Sequence, residues 1–267
     1  MSAKARGFSL LERFELKYHI PVEWADDIGR FIAPYCEEDH YSQITPGNFY
    51  WITNLYLDSN SWTFFNWRKR GLWDRFNMRI RTYGIQPDPE GIFHFEVKRK
   101  LGRISTKSRA TLKDKNPIHI FETPEPDWEV EEKHRAFLKD FMFRVETHQA
   151  RPRLLTQYKR RAWFGLNEEY SRVTIDTSMR WREENGFNYH VDPAKMNDSG
   201  YPRYFLPGTD AVLELKAPAK QVPYWMVDLI RHFDLRLRSF SKFGSAAQEF
   251  MNIYGVDGHS HRTPVYA

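Results

Sequence analysis

About eight stretches of this chain alternate apolar and polar residues with the two-residue period of a β-strand, and their polar positions are crowded with arginine and lysine. They lie at 13–20, 51–58, 75–84, 92–100, 104–112, 152–165, 171–181 and 210–218. RFELKYHI (13–20) puts Arg13, Glu15, Lys17 and His19 on one side and Phe14, Leu16 and Tyr18 on the other. In 75–84 the polar set is Asn77, Arg79, Arg81 and Tyr83; in 92–100 it is His94, Glu96, Lys98 and Lys100. Lys107 and Arg109 share a face of 104–112, Tyr158 and Arg160 one of 152–165, Arg172, Thr174 and Asp176 one of 171–181, and Glu214 and Lys216 one of 210–218. Lys159 and Arg161 blur the pattern in 152–165. The ordinary outcome for such strands is an open antiparallel sheet with its polar face in water. Like charges directly opposite on paired strands are destabilising, however, so a face this cationic is expected to gain from binding an anion.

Eight strands are also enough to close a barrel. The apolar faces would then lie outside under helices, and the charged faces would line a tunnel that traps a polyanion, with guanidinium forks matched to phosphate oxygens. The carboxylates on those faces, Glu15, Glu96, Asp176 and Glu214, have two readings. Each pairs with a neighbouring base, or some of them hold a hard divalent cation, Mg²⁺ or Mn²⁺, together with phosphate oxygens. Glu214 in LELK is the first choice for the metal, with Glu15 and Glu96 as helpers.

Helical spacing occurs at 22–35, following Pro21, at 128–145 and at 223–234. QPDPEG (86–91) reads as a hairpin connection and 185–208 as a long loop rich in Gly, Pro, Asn and Asp. Ser241-Lys242-Phe243-Gly244 reads as a loop able to hold Lys242 at a tunnel mouth. The expected organisation is a single α+β domain over 8–256, with 1–7 and 257–267 as loose ends. An aromatic content of 16% excludes a disordered chain, and the net charge of +5 suits an anionic partner. With Cys36 as the one cysteine there is no internal disulfide, and a reducing compartment is expected. The start has no long apolar signal region, and no window approaches the ~20 apolar residues of a membrane span, so a cytoplasmic location is expected. Walker, nucleophile-elbow and zinc-spaced histidine motifs are absent.

The ordered series RFELKY, LYLD, RIRTYG, FEVKRK, KSR, YKRRA, RVTIDT, LELK and SFSKF resembles the VTC domain, the catalytic domain of the vacuolar transporter chaperone complex and its bacterial relatives, within the CYTH-like triphosphate tunnel metalloenzymes. The resemblance runs from about residue 10 to 250. It implies an α+β fold built on an eight-stranded antiparallel β-barrel tunnel with flanking helices, and an enzyme that makes inorganic polyphosphate from ATP with Mn²⁺ or Mg²⁺. It also implies roles. Lys17, Arg79, Arg81, Lys98, Arg160 and Arg172 would act on the reacting phosphates. Arg68, Lys107, Arg109, Lys216 and Lys242 would bind phosphate, and Glu214, Glu15 and Glu96 would serve the metal. The implied partners are ATP, inorganic polyphosphate, and pyrophosphate or triphosphate. Nucleic acid is not expected, because the bases lie on inward strand faces and not on one exposed helix. Relatives often carry an SPX domain and membrane helices that this sequence lacks, so a separate membrane protein is an expected partner. Two alternatives stay open: a triphosphatase acting on inorganic or nucleoside triphosphates, and a polyphosphate-binding module without turnover. Hydrolytic members begin E-x-E-x-K, whereas this frame reads Arg13-Phe14-Glu15-Leu16-Lys17 and Glu12 falls on the opposite face, which favours transfer over hydrolysis.

Overall fold

Strict alternation builds one sheet with two unlike faces. The computed structural model describes residues 13–86 (the first by its backbone alone), 91–102, 104–113, 117–123, 127–128, 130–168, 170–198, 205–218 and 221–254. Its strands are β1 (Arg13–Ile20), β2 (Cys36–Glu38), β3 (Tyr50–Asp58), β4 (Asp74–Tyr83), β5 (Ile92–Leu101), β6 (Ile104–Lys113), β7 (Arg151–Gly165), β8 (Arg172–Glu183), β9 (Asn197–Asp198) and β10 (Ala211–Pro218). Its helices are α1 (Ala25–Ile32), α2 (His40–Ile44), α3 (Thr63–Lys69), α4 (His119–Glu122), α5 (Glu132–His148), α6 (Tyr224–His232) and α7 (Lys242–Tyr254). All eight expected strands form, and they pair antiparallel in the order β1-β10-β8-β7-β3-β4-β5-β6; β2 adds to β7 and β9 to β8. At the β5–β6 hairpin Gly102 takes φ 56° beneath the Trp73 ring, where a side chain would not fit.

The path is open at the level of the backbone, which corrects the expected closed barrel: no ladder joins β1 to β6 among the described residues. The outer edge of β1 meets the segment before α7 instead. The Arg238 N–H donates to the Lys17 carbonyl at 2.8 Å, and Tyr18 bridges to Leu237. The sheet nevertheless curls far enough for the Lys98 ammonium on β5 to reach the Glu15 carboxylate on β1 at 3.1 Å.

Two apolar clusters cover the outer face. Phe76, Met78, Ile80, Phe93 and Phe95 pack against Phe64 of α3 and Leu138 and Phe141 of α5. Ile20, Val173, Ile175, Leu213 and Leu215 pack against Ile28 and Ile32 of α1 and Trp225 and Leu229 of α6. Burying such side chains contributes about 1.5–3 kcal/mol each, which is what holds helices of modest propensity in place.

The inner face differs from the sequence expectation in one respect: it is charged in its middle and apolar at one end. The ladder between β7 and β8 shifts register between Gln157 and Lys159, and Ser178 on β8 has φ 51°. A bulge reverses which residues face inward. Before it the inner set on β8 is Arg172, Thr174 and Asp176; after it Trp181 faces inward, opposite Thr156. Trp181, Leu154 and Tyr56 then bury Phe243, Ala246, Ala247, Phe250 and Met251 of α7. The expected loop at 241–244 is therefore the start of a helix. Ser241 caps it, its hydroxyl accepting from the Gly244 N–H at 3.1 Å. The expected loop at 185–208 is also packed where it is described: Tyr189 and Val191 join the outer core, and the Phe205 ring lies tilted against His19 with ring centroids 4.9 Å apart. The expected loose ends, Glu12 and residues 87–90 of the hairpin connection fall outside the described residues. No described helix is long and apolar enough to cross a membrane.

Candidate functional site

Register places the inner-face cations around four carboxylates. Glu96 on β5 lies between Arg79 of β4 and Arg109 of β6. Arg79 donates to Glu96 Oε2 from Nε at 2.7 Å and sits at 2.6 Å through Nη2. Lys107 Nζ and Arg109 Nε donate to Oε1 at 2.9 and 2.8 Å. Arg81 Nε stands 4.0 Å from Oε2 and donates to Asn54 Oδ1 at 2.9 Å. Glu96 is 1% exposed. Burial alone would push its carboxyl up, but the Arg79, Arg81, Lys107 and Arg109 charges outweigh it and hold the group well below the usual carboxylate range.

Asp176 on β8 is fully buried and takes a bidentate pair from Arg160 of β7, at 2.6 and 2.7 Å. Lys242, at the start of α7, donates to its Oδ2 at 2.5 Å. Burial opposes ionisation here too, and the Arg160 and Lys242 charges overcome it, holding Asp176 at about 2. The Tyr158 ring lies beneath this group, with Lys242 Nζ 4.5 Å from its centroid. Burial raises the Tyr158 phenol, and Arg160, Arg81 and Lys242 more than reverse that, to about 8.

Glu214 on β10 and Glu15 on β1 form the third group. Lys17 Nζ lies 3.0 Å from Glu15 and 3.8 Å from Glu214, and donates to the Phe240 carbonyl at 3.1 Å. The Lys216 ammonium lies against Glu214. Burial and the neighbouring Glu214 push Glu15 up, while Lys98, Lys17 and Lys216 pull it down to about 2. Glu214, only 4% exposed, is held well below the ordinary range by Lys216 and Lys17 against its burial. Arg172 sits opposite Lys216 and lies over the Phe164 ring at 4.8 Å, its Nε buried without a hydrogen bond. Arg68, in the last turn of α3, approaches Gly244 of α7 so closely that a Cβ there would stand 2.9 Å from its Nε.

The structure thus brings twelve of the fourteen named residues onto one inner strand face, with Lys242 reaching it from α7 and Arg68 at its helical border. Glu96 stands in a different group from Glu15 and Glu214, and both of its oxygens are engaged by cations. Asn54 and Tyr56 escaped the sequence reading; they orient Arg81 and Arg79, with Arg79 Nη1 donating to the Tyr56 hydroxyl at 3.2 Å. The signal lies in WITNLYLD, where Ile52, Asn54 and Tyr56 share the inner face by parity. Lys159 and Arg161 blurred the face because they point outward, Lys159 over Trp51 at 5.2 Å and Arg161 to Glu38 and Asp26, both at 2.5 Å. Among the described residues no group of three or more His, Cys, Asp or Glu side chains could hold a metal unaided.

Guanidinium forks and ammonium groups fixed in this way, some buried and some near solvent, suit an extended chain of phosphates. Comparison with solved structures shows weak similarity to a protein from Bacillus halodurans described as a candidate adenylate cyclase (14% identity, 86% of this chain and 95% of that one, TM-score 0.47). A protein from Pyrococcus horikoshii matches at 10% identity, over 90% of this chain and 99% of that one, with TM-score 0.44. No curated protein matches the sequence. The family model of the VTC domain matches residues 12–251, a span that contains every strand of the sheet and all of the charged inner face, and the chain belongs to that family.

Proposed function

We propose that this protein is a metal-dependent polyphosphate polymerase that transfers the terminal phosphoryl group of ATP onto a growing inorganic polyphosphate chain. The observation that carries the reading is the inner face itself. Its arginines and lysines outnumber Glu15, Glu96, Asp176 and Glu214, and those carboxylates pair with them and orient them. Phosphoryl transfer depends more on positioning and charge neutralisation than on covalent help from the protein. Arg79, Arg81 and Arg160 are buried where an incoming phosphate would be largely dehydrated. Lys98, Lys107 and Arg109 lie nearer solvent, where a longer chain could continue. An oxygen of the chain terminus attacks the γ-phosphorus, the bond from that phosphorus to the β,γ-bridging oxygen breaks, and ADP leaves with the bonding pair. The attacking oxygen is already anionic, so no general base is needed.

A cation fits the Glu214 and Glu15 group by donor chemistry. Two carboxylates joined through Lys17, with phosphate oxygens completing the shell, suit Mn²⁺ or Mg²⁺. When bound, the ion supplies neutralisation of phosphate charge. Glu96, saturated by its bases, acts on this reading by orienting them. The cell compartment it implies is the cytoplasm, with a separate membrane protein needed to move polymer across a membrane.

Incubation of pure protein with ATP and Mn²⁺ tests the reading: long polyphosphate and ADP are expected. Orthophosphate without polymer would establish the triphosphatase instead. Tight tripolyphosphate binding with no product under any metal would establish a binding module.

A further inference from the structure

Thr174 and Glu214 face each other across the β8–β10 ladder on the inner face. Both are nine-tenths buried or more, at 2% and 4% exposure. The Thr174 hydroxyl has no hydrogen-bond partner, and neither has Glu214 Oε1, which has only the Lys216 ammonium beside it. Buried polar atoms are normally satisfied, so an orphaned hydroxyl set opposite a buried carboxylate that has one ion-pair partner on that oxygen marks a place where something else completes the shell. A valine at 174 would fill the same volume without an orphan. On its other side Thr174 faces Ala162 of β7, whose methyl group offers the hydroxyl no hydrogen-bond partner.

We infer that Thr174 is a ligand-side residue of the divalent cation site: its hydroxyl donates an oxygen lone pair to the ion held by Glu214, directly or through one water. A hard cation accepts a neutral hydroxyl oxygen readily, and a site with few carboxylates relies on such donors. The described residues offer no third carboxylate to do this work. The inference rests on the metal-dependent reading of the inner face and adds a residue to it.

The test is Mn²⁺ binding to the full chain, followed by the electron paramagnetic resonance signal of free Mn²⁺, with and without tripolyphosphate. Thr174→Val removes the hydroxyl at constant shape, Thr174→Ala removes it with less risk to packing, and Thr174→Ser keeps it. Both deletions are expected to weaken Mn²⁺ about tenfold, and Thr174→Ser by less than about twofold. Tripolyphosphate affinity in chelator should stay the same in all three. Unchanged Mn²⁺ affinity in Thr174→Ala or Thr174→Val overturns the assignment, as does an equal loss in Thr174→Ser. If the wild-type chain binds no Mn²⁺ even with tripolyphosphate, the metal-dependent reading fails along with it, an outcome that the variants alone cannot mimic.

Discussion

Glu15 on β1 and Lys98 on β5 meet at 3.1 Å although their strands lie near opposite ends of the sheet path. This pair spans the opening that no ladder closes among the described residues. Both side chains are partly exposed, at 27% and 44%, so its contribution to stability is small, below about 1 kcal/mol. Glu15 titrates at about 2 in the folded chain, below its ordinary 4.5. Its contribution is therefore present above about 4.5 and lost as pH falls towards 2. Urea unfolding of Glu15→Gln should show a loss under about 1 kcal/mol at pH 7 and none near pH 2. A loss of several kcal/mol at pH 7 would mean that the pair holds the curl on its own.

Glu96 behaves differently because it is buried among four cations. Glu96→Gln keeps the shape and leaves Arg79, Lys107 and Arg109 without their shared counter-charge. Removing one partner of a buried ionic group costs about 3–5 kcal/mol. Tripolyphosphate restores negative charge at the same place. The melting temperature should drop in the variant and rise more on tripolyphosphate addition than it does in the wild type. An equal rise in both proteins would show that the anion does not approach the Glu96 group.

Much of this arrangement was legible in the sequence. Strands β1, β4, β5 and β6 alternate without interruption, so Lys17, Arg79, Arg81, Lys98, Lys107 and Arg109 fall on one face by parity alone. Parity failed at Ser178, where the bulge exchanges the inner and outer sets, and no glycine marks the position. Helix α7 was missed because Gly244 and the charges before it read as a loop. Phe243, Ala246, Ala247, Phe250 and Met251 nevertheless carried helical spacing. What the sequence could not supply is partner choice. Asp176 could have met any neighbouring base, and its pairing with Lys242, 66 residues away, depends on α7 folding back onto the inner face.

Lys107 makes the site sensitive to pH. Partial desolvation of the ammonium, with the Arg109 and Arg81 charges, lowers it against the pull of Glu96 to about 7, although the side chain as a whole is 44% exposed. Without ligand it is neutral above that value; an anion beside it favours the charged form. Binding tripolyphosphate at pH 8 should take up protons, and affinity should fall as pH rises from 7 to 9. Titration calorimetry in two buffers of different ionisation enthalpy reads the uptake. Lys107→Gln should reduce it, whereas any share from Tyr158, which titrates at about 8, persists in that variant. Identical uptake in Lys107→Gln would remove Lys107 as the group responsible.

Glu214 separates catalysis from binding. Its carboxylate is far more buried than that of Glu15, its partner in the candidate metal group, and carries the Lys17 and Lys216 ammonium groups. Glu214→Gln should cut metal-dependent turnover of ATP by at least about 100-fold, the scale expected when a transition-state charge partner is lost. Tripolyphosphate affinity in chelator should hold or rise, because a negative charge leaves an anion site. Near-normal turnover would move the metal elsewhere.

Lys242 reaches Asp176 only because α7 is seated on the inner face, so the seating itself should matter for the anion. Phe250, 5% exposed, packs against Trp62 and Trp181 in that seat, with ring centroids 5.0 and 6.4 Å away. Truncating a buried phenylalanine costs about 3–5 kcal/mol where the site cannot collapse. Here the cost should fall first on α7, seen as faster amide exchange in 242–254 than in β5 or β10. Lys242→Met removes the charge and leaves the helix in place. If the helix serves to present that ammonium, Phe250→Ala and Lys242→Met should weaken tripolyphosphate binding by similar factors, and the double variant should be no weaker than either. Additive losses would show that the two residues act on the anion by separate routes, since independent sites add and coupled ones do not.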